Sequence, residues 1–235
     1  MSQVIAVFGA GPGLGASVAR RFGREGYRVA LVARRLAPLE ALVAELAAEG
    51  IEAAAFSADL TDQAAALNAV DAIRARFGRI DTLYYAPVNA EVGFVPAREL
   101  RAEHVRSLLE LLTLTPIEVI HAVLPELVER GSGAILVGHG ASAVHAMPGM
   151  SGPGLPMAAT RNYVHTLNAE LADSGVYVGT IAITAMIASS AAHTAWTSGA
   201  LDLGTTEFPV VQPDELADLV WELVTRRDRV EVLHP

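Results

Sequence analysis

Seven residues near the N-terminus, Gly9-Ala10-Gly11-Pro12-Gly13-Leu14-Gly15, carry four glycines and sit between an apolar run (residues 3–8) and a helical pattern (residues 17–24). A strand that runs through a tight glycine turn into a helix N-terminus lets backbone N–H groups approach a phosphate, and the helix dipole favours the negative charge. The glycines at 9, 13 and 15 follow a G-x-x-x-G-x-G spacing rather than the G-x-G-x-x-G of the ordinary dinucleotide fold. A plain strand–helix turn rarely needs so many glycines, so the segment reads as a pyrophosphate cradle. Its contacts are expected from Gly9, Gly11, Pro12, Gly13 and Leu14.

The rest of the chain repeats the strand–helix alternation. Strands are expected near 3–8, 28–33, 52–56, 81–85, 133–138, 176–183 and 230–233, and helices near 13–25, 36–49, 62–77, 99–129, 153–173 and 213–226. Leu39, Leu42, Val43, Leu46 and Ala47 form the clearest helical stripe. Such alternation predicts right-handed βαβ crossovers and an α/β fold, with a doubly wound, Rossmann-like parallel sheet of about seven strands. No linker, repeat or low-complexity tract interrupts it, so residues 1–235 are expected to form a single domain.

The second strand ends in Arg34-Arg35, about 20 residues beyond the last glycine of the turn. A site selective for NAD places a carboxylate there for the ribose 2′-hydroxyl, whereas a guanidinium matches a 2′-phosphate. The cofactor implied is NADP(H).

The glycine turn, the Ala-Leu-Val-Ala-Arg-Arg strand end, Ala58-Asp59-Leu60 and the Ala-Val-Leu-Pro of 122–125 resemble the short-chain dehydrogenase/reductase family, over nearly the whole chain. The resemblance implies that Asp59 and Leu60 line the adenine pocket, and that Tyr85-Ala86-Pro87-Val88 stands where the family has Asn-Asn-Ala-Gly, so that Ala86 and Pro87 border the cofactor. Phe8 stands where the family often has Thr. It also implies a Tyr-x-x-x-Lys pair, an upstream Ser and an Asn on the preceding helix, which together run the proton relay. A gapless register from Gly133 to Leu171 puts Gly140 at the Ser, Pro153 at the Tyr and Met157 at the Lys, with the Asn on Leu112 or, one residue on, Thr113. The chain has no lysine at all. These side chains transfer no proton, and Tyr163, about 9 Å further along the helix than Met157, is a poor substitute.

No Asp, Glu, Lys or Arg occurs between Arg130 and Arg161, nor between Ser174 and Leu201. His139, His145 and His193 are the side chains there that titrate near neutrality. His139 precedes the vacated Ser position at a strand's C-terminal end, which makes it the candidate replacement proton carrier. Ser142 and His145 follow on the same loop as pocket candidates, joined by Met186 and Trp196 from a covering segment, 186–209, with Phe208 on its inner surface and Gly199 and Gly204 as hinges. Ile183-Thr184 replaces the family's Pro-Gly at the start of that segment, which sets the nicotinamide half of the site apart from the family pattern.

A net charge of −9 gives no electrostatic case for nucleic acid or an anionic membrane. The absence of cysteine excludes disulfides and cysteine-ligated metal, and no metal site is read. The uncharged stretches are too rich in Gly, Pro, Ser and Thr to span a bilayer, and no signal peptide is read, so the cytoplasm is the expected compartment. The helix over 107–124 is apolar around most of its girth, which with the family pattern points to a homodimer or homotetramer. Three readings stay open: an NADP(H)-dependent oxidoreductase acting on a small molecule with a non-standard proton source, a non-redox enzyme reusing the pocket, and a cofactor-binding sensor without turnover.

Overall fold

The computed structural model describes residues 2–88, 94–200 and 208–235. All seven expected strands form: β1 (Val4–Phe8), β2 (Arg28–Ala33), β3 (Ala53–Ser57), β4 (Thr82–Tyr85), β5 (Gly133–Gly140), β6 (Val176–Ile183) and, last in the chain, β9 (Glu231–His234). They pair in parallel in the order β3-β2-β1-β4-β5-β6-β9. Continuous apolar runs such as Val4–Phe8, buried throughout, suit a sheet covered on both faces.

Six helices provide that cover. On one face α1 (Leu14–Arg24), α2 (Leu36–Ala48) and α8 (Pro213–Arg226) pack around Val18, Phe22, Leu39, Leu46, Val220 and Leu223. On the other, α3 (Gln63–Phe77), α5 (Thr115–Arg130) and α6 (Gly154–Glu170) enclose Val70, Ile73, Ile120, Val123 and Val164. The chain order reverses between β1 and β4, and in open α/β sheets a ligand binds beyond the strand ends at such a switch point. A shorter helix, α7 (Ala191–Thr197), lies between β7 (Met186–Ile187) and β8 (Val210–Val211), which pair as a small parallel sheet of their own. Of the expected hinges, Gly199 follows α7 and Gly204 lies outside the described residues.

The helix expected over 99–129 is broken. A 3₁₀ turn (Ala97–Glu99) and α4 (Ala102–Leu109) precede a π-helical turn, Glu110–Leu114, that leads into α5. Pro116 supplies the physical reason. It has no N–H, so neither the i+4 bond to Leu112 O nor the i+5 bond to Leu111 O can form. Two side chains from other elements serve those carbonyls instead: the Tyr85 hydroxyl donates to Leu111 O at 2.7 Å and the Thr160 hydroxyl to Leu112 O at 2.5 Å. By length and composition alone, the 29 residues Ala102–Arg130 could cross a membrane, but the π turn interrupts them and Val119, Ile120, Val123 and Leu127 are buried against the sheet.

Candidate functional site

The glycine turn takes the expected shape. Gly9 and Gly13 have φ of 100° and 89°, a backbone region that side chains disfavour. A side chain on Gly9 would come within 2.8 Å of the Ala86–Pro87 backbone, and one on Gly15 within 2.4 Å of Gly9 O. These glycines therefore let β1 pass directly beside the end of β4 and let α1 start flush against the turn. Gly11 meets nothing within 4 Å, and Pro12 is exposed, so this tip faces open space. No side chain caps α1, which leaves N–H groups of its first turn available to an anion.

Arg34 and Arg35 are exposed at the end of β2, and neither forms an ion pair among the described residues. Across the strand end, Asp59 accepts from the N–H and hydroxyl of Thr61 at 2.9 and 2.8 Å. Those bonds, with a smaller contribution from Arg34, hold its carboxyl below the usual range. Leu60, expected to line the adenine pocket, is buried in the same core cluster as Ala58 and Ala66. The turn, the two arginines, Asp59, Ala86 and Pro87 are thus gathered along the C-terminal ends of β1 to β4. These residues fit a nucleotide with an extra phosphate on its ribose.

Further along the same edge, Gly140 ends β5 and its N–H points at the Met157 sulfur, 3.4 Å away. A side chain on Gly140 would meet only Met157 Cε, at 3.7 Å. Pro153 caps the N-terminus of α6, and Gly154 brings that helix within contact of Ser142. Leu112 is partly buried against the core, and the buried Thr113 donates its hydroxyl to Pro156 O at 2.9 Å. Ser142 is half-buried in the turn after β5, while His145 is exposed. Met186 and Trp196 are half-buried, Trp196 edge-on to His193. Ser190, which caps α7, lies 3.2 Å from where a Gly13 side chain would start, so α7 hangs over the cradle.

His139 departs from its expected role as proton carrier. It shares the parity of Ile135 and Val137, which pack on the face covered by α6, and only 6 % of it is exposed. Its Nε2 lies 2.5 Å from the Thr180 hydroxyl, which itself donates to Val137 O at 2.9 Å. With that proton committed, Thr180 can only accept from His139, which fixes the imidazole as the neutral Nε2–H tautomer. Burial pushes its pKa down to about 4, against the pull of Glu231. A side chain held neutral across the physiological range, with one nitrogen spent on the core, is a structural histidine.

Sequence reasoning also missed the burial of Tyr84 and Tyr85, which raises both phenol pKa values well above normal, and the ion pair of Arg161 with both Glu231 oxygens, 2.6 Å each. A described cavity of about 320 Å³ opens at the opposite, N-terminal edge of the sheet, between Tyr27, Thr82 and Trp221. It is remote from the strand ends that carry the cradle. Among the described residues no cluster of His, Asp or Glu could hold a metal ion.

Residues 3–198 match the short chain dehydrogenase family model. The chain belongs to that family. Two curated members are a sulfoacetaldehyde reductase of Chromohalobacter salexigens, 27 % identical over 99 % of this chain and 92 % of its own, and a D-threitol dehydrogenase of Mycolicibacterium smegmatis, 30 % identical over 92 % and 83 %. Among solved structures, a metagenomic short-chain oxidoreductase in complex with NADP superposes with a TM-score of 0.80 and 26 % identity, covering 100 % of this chain and 98 % of that one. A short-chain dehydrogenase from Sphingobium yanoikuyae in complex with NADPH gives 0.80 and 30 %, covering 98 % and 87 %. The expected family and fold are both borne out.

Proposed function

We propose that this short-chain dehydrogenase is an NADP(H)-dependent oxidoreductase whose site lacks the family's Ser, Tyr, Lys and Asn relay. The cofactor assignment is supported by the NADP and NADPH complexes of its structural neighbours, together with the uncapped α1 N-terminus and the exposed Arg34 and Arg35, which form no ion pair among the described residues. When bound, the cofactor supplies a hydride donor or acceptor. The glycine turn would hold its pyrophosphate, and the two arginines its 2′-phosphate.

The observation that carries the active-site reading is the contact between Gly140 and Met157. In the gapless register from Gly133 to Leu171 these are the family's Ser and Lys positions, and the thioether fills the space between them. Neither group donates a proton to a bound oxygen. The chain's own contribution is then to position the reactants and exclude water, and both can lower a barrier without a proton donor. His139 is not assigned the proton, since it is buried and neutral. A homo-oligomer through α5 and α6 is part of the proposal, supported by the exposed Leu114, Val128 and Leu155 on that side.

The deciding experiment is a titration with NADPH and NADH followed by nicotinamide fluorescence, then a carbonyl panel under saturating cofactor. Tight NADPH binding with substrate-dependent oxidation supports the proposal. NADPH binding without turnover across the panel favours the sensor reading, and no nucleotide binding removes both.

A further inference from the structure

The cavity at the N-terminal edge of the sheet has a corner built from aromatic rings. Tyr27 and Trp221 line it, with ring centroids 6.0 Å apart and planes at 88°. Phe22 stands edge-on to both, at 5.2 and 5.0 Å, and braces the angle between them. Tyr27 and Val224 are buried and Trp221 half-buried, while Gln3, Ser132 and Thr225 form an exposed polar rim. A void of about 320 Å³ is at the small end of the range for ligand pockets and suits one substituted aromatic ring. A flat ring placed in this corner stacks on one wall and meets the other edge to face.

Arg227, which also lines the cavity, sets its charge. It ends α8 in the left-handed region, at φ 55°, which is uncommon for a residue with a side chain. Its Nε donates to Val224 O at 3.1 Å and its Nη1 to Gly175 O at 3.0 Å. Those bonds hold the guanidinium in place and leave Nη2 without a partner among the described residues. The carboxylates nearby are spent on other cations. Asp81, also in the lining, accepts from Arg79 and from Val4 N–H, and lies 3.5 Å from Arg130. Glu25 and Asp218 are paired with Arg21, which covers the Trp221 ring. Glu222 is paired with Arg226 and Arg229, and Asp228 with Arg229. Burial raises the Tyr27 phenol above its usual pKa, so this wall stays neutral. The corner thus sets one fixed cation, with no ion pair among the described residues, beside two perpendicular rings.

We propose that this corner is a second ligand site, which takes a small aromatic carboxylate with its ring against Tyr27 and Trp221 and its charge on Arg227. The free Nη2 offers a charge-assisted bond, and the Ser132 hydroxyl and Gln3 amide at the rim are neutral donors. The site is separate from the nucleotide cradle. Gln3 precedes β1 and the glycine turn follows it, so the two lie a five-residue strand apart, about 16 Å. The proposal therefore does not depend on the oxidoreductase reading, and the carboxylate should bind whether the cradle is full or empty.

The test uses the full chain labelled with 5-fluorotryptophan, whose two ¹⁹F lines report Trp196 and Trp221 and are assigned with Trp196→Phe. Benzoate is the probe and benzamide its uncharged match. Benzoate should move the Trp221 line saturably below about 10 mM, and benzamide should bind at least about tenfold more weakly. Saturating NADP⁺ should change the benzoate affinity by less than about twofold. Arg227→Gly removes the guanidinium and suits the left-handed backbone, and it should bring benzoate down to the level of benzamide. Gln3→Glu should weaken benzoate and spare benzamide, which checks the sign of the charge with Arg227 intact. No saturable shift of the Trp221 line overturns the proposal, as does equal affinity for the two probes. So does displacement of benzoate by NADP⁺, or an unchanged benzoate affinity in either folded variant.

Discussion

The Thr180 hydroxyl and the His139 imidazole are joined across β6 and β5 at 2.5 Å, and this bond turns an apparent catalytic histidine into part of the core. Glu231, Arg161 and His165, whose charges act on it through space, are joined to one another where α6 meets β9. The consequence is a pH dependence of stability rather than of chemistry.

His139 has a folded pKa of about 4 against an ordinary value of 6.5. Between those values the unfolded chain binds a proton that the folded protein refuses. Stability from this residue is complete above about pH 6.5 and is lost as pH falls toward 4, by up to about 3 kcal/mol. His139→Gln keeps a donor for Thr180 but cannot titrate, so its urea midpoint should fall less than that of the unaltered protein over that range. Parallel pH curves for the two proteins would show that His139 is solvated and free to titrate.

The proposed role of Arg34 and Arg35 in cofactor choice follows from their exposure at the end of β2. NADPH should bind more tightly than NADH, and Arg34→Ala should erase most of the difference. Loss of one charge-assisted bond to phosphate corresponds to roughly ten- to a hundredfold in affinity. Nicotinamide fluorescence titrations of both proteins with both nucleotides measure it. Equal affinities in the unaltered protein would sink the assignment.

The proposed loss of the relay can be tested by rebuilding it. Pro153 and Met157 are one helical turn apart at the start of α6, and a side chain at Gly140 meets only ordinary contact, with Met157 Cε. Gly140→Ser, Pro153→Tyr and Met157→Lys together should introduce reduction of activated carbonyls, in which the Lys ammonium lowers the Tyr pKa. The readout is NADPH oxidation, compared with the unaltered protein on the same panel. Activity of the unaltered protein that already matches the triple variant would mean the register is misplaced and another group carries the proton.

How much could be read from sequence follows from the range of the interactions involved. The seven strands and the glycine turn depend on local apolar runs and on backbone freedom at Gly9 and Gly13, and both are written in adjacent residues. Arg34 and Arg35 were legible for the same reason, as the end of a strand a fixed distance from the turn. His139 was misread because its role depends on Thr180, 41 residues away, and nothing in its neighbours announces that contact. The burial of Leu60 in the core was likewise hidden, since the family pattern fixes its position but not its surroundings. The π turn was within reach. Pro116 inside an apolar helical pattern removes one donor, and Tyr85, Thr113 and Thr160 are hydroxyls near the partners it leaves, although their pairing required the fold.

That turn yields the last prediction. Leu112 O has no backbone donor because the residue four positions on is Pro116, and the Thr160 hydroxyl supplies the missing bond from α6. Thr160 is 1 % exposed, so Thr160→Val conserves shape while leaving a buried carbonyl unpaired. The cost should be about 1–3 kcal/mol, read as a lower urea midpoint with an unchanged slope. Pro116→Ala returns an N–H to the helix and offers Leu112 O its own i+4 donor. In the Pro116→Ala background the same Thr160→Val change should therefore cost less than it does alone. Additive effects of the two substitutions would show that Thr160 stabilises the helix pair by packing, and that the π turn does not depend on its hydroxyl.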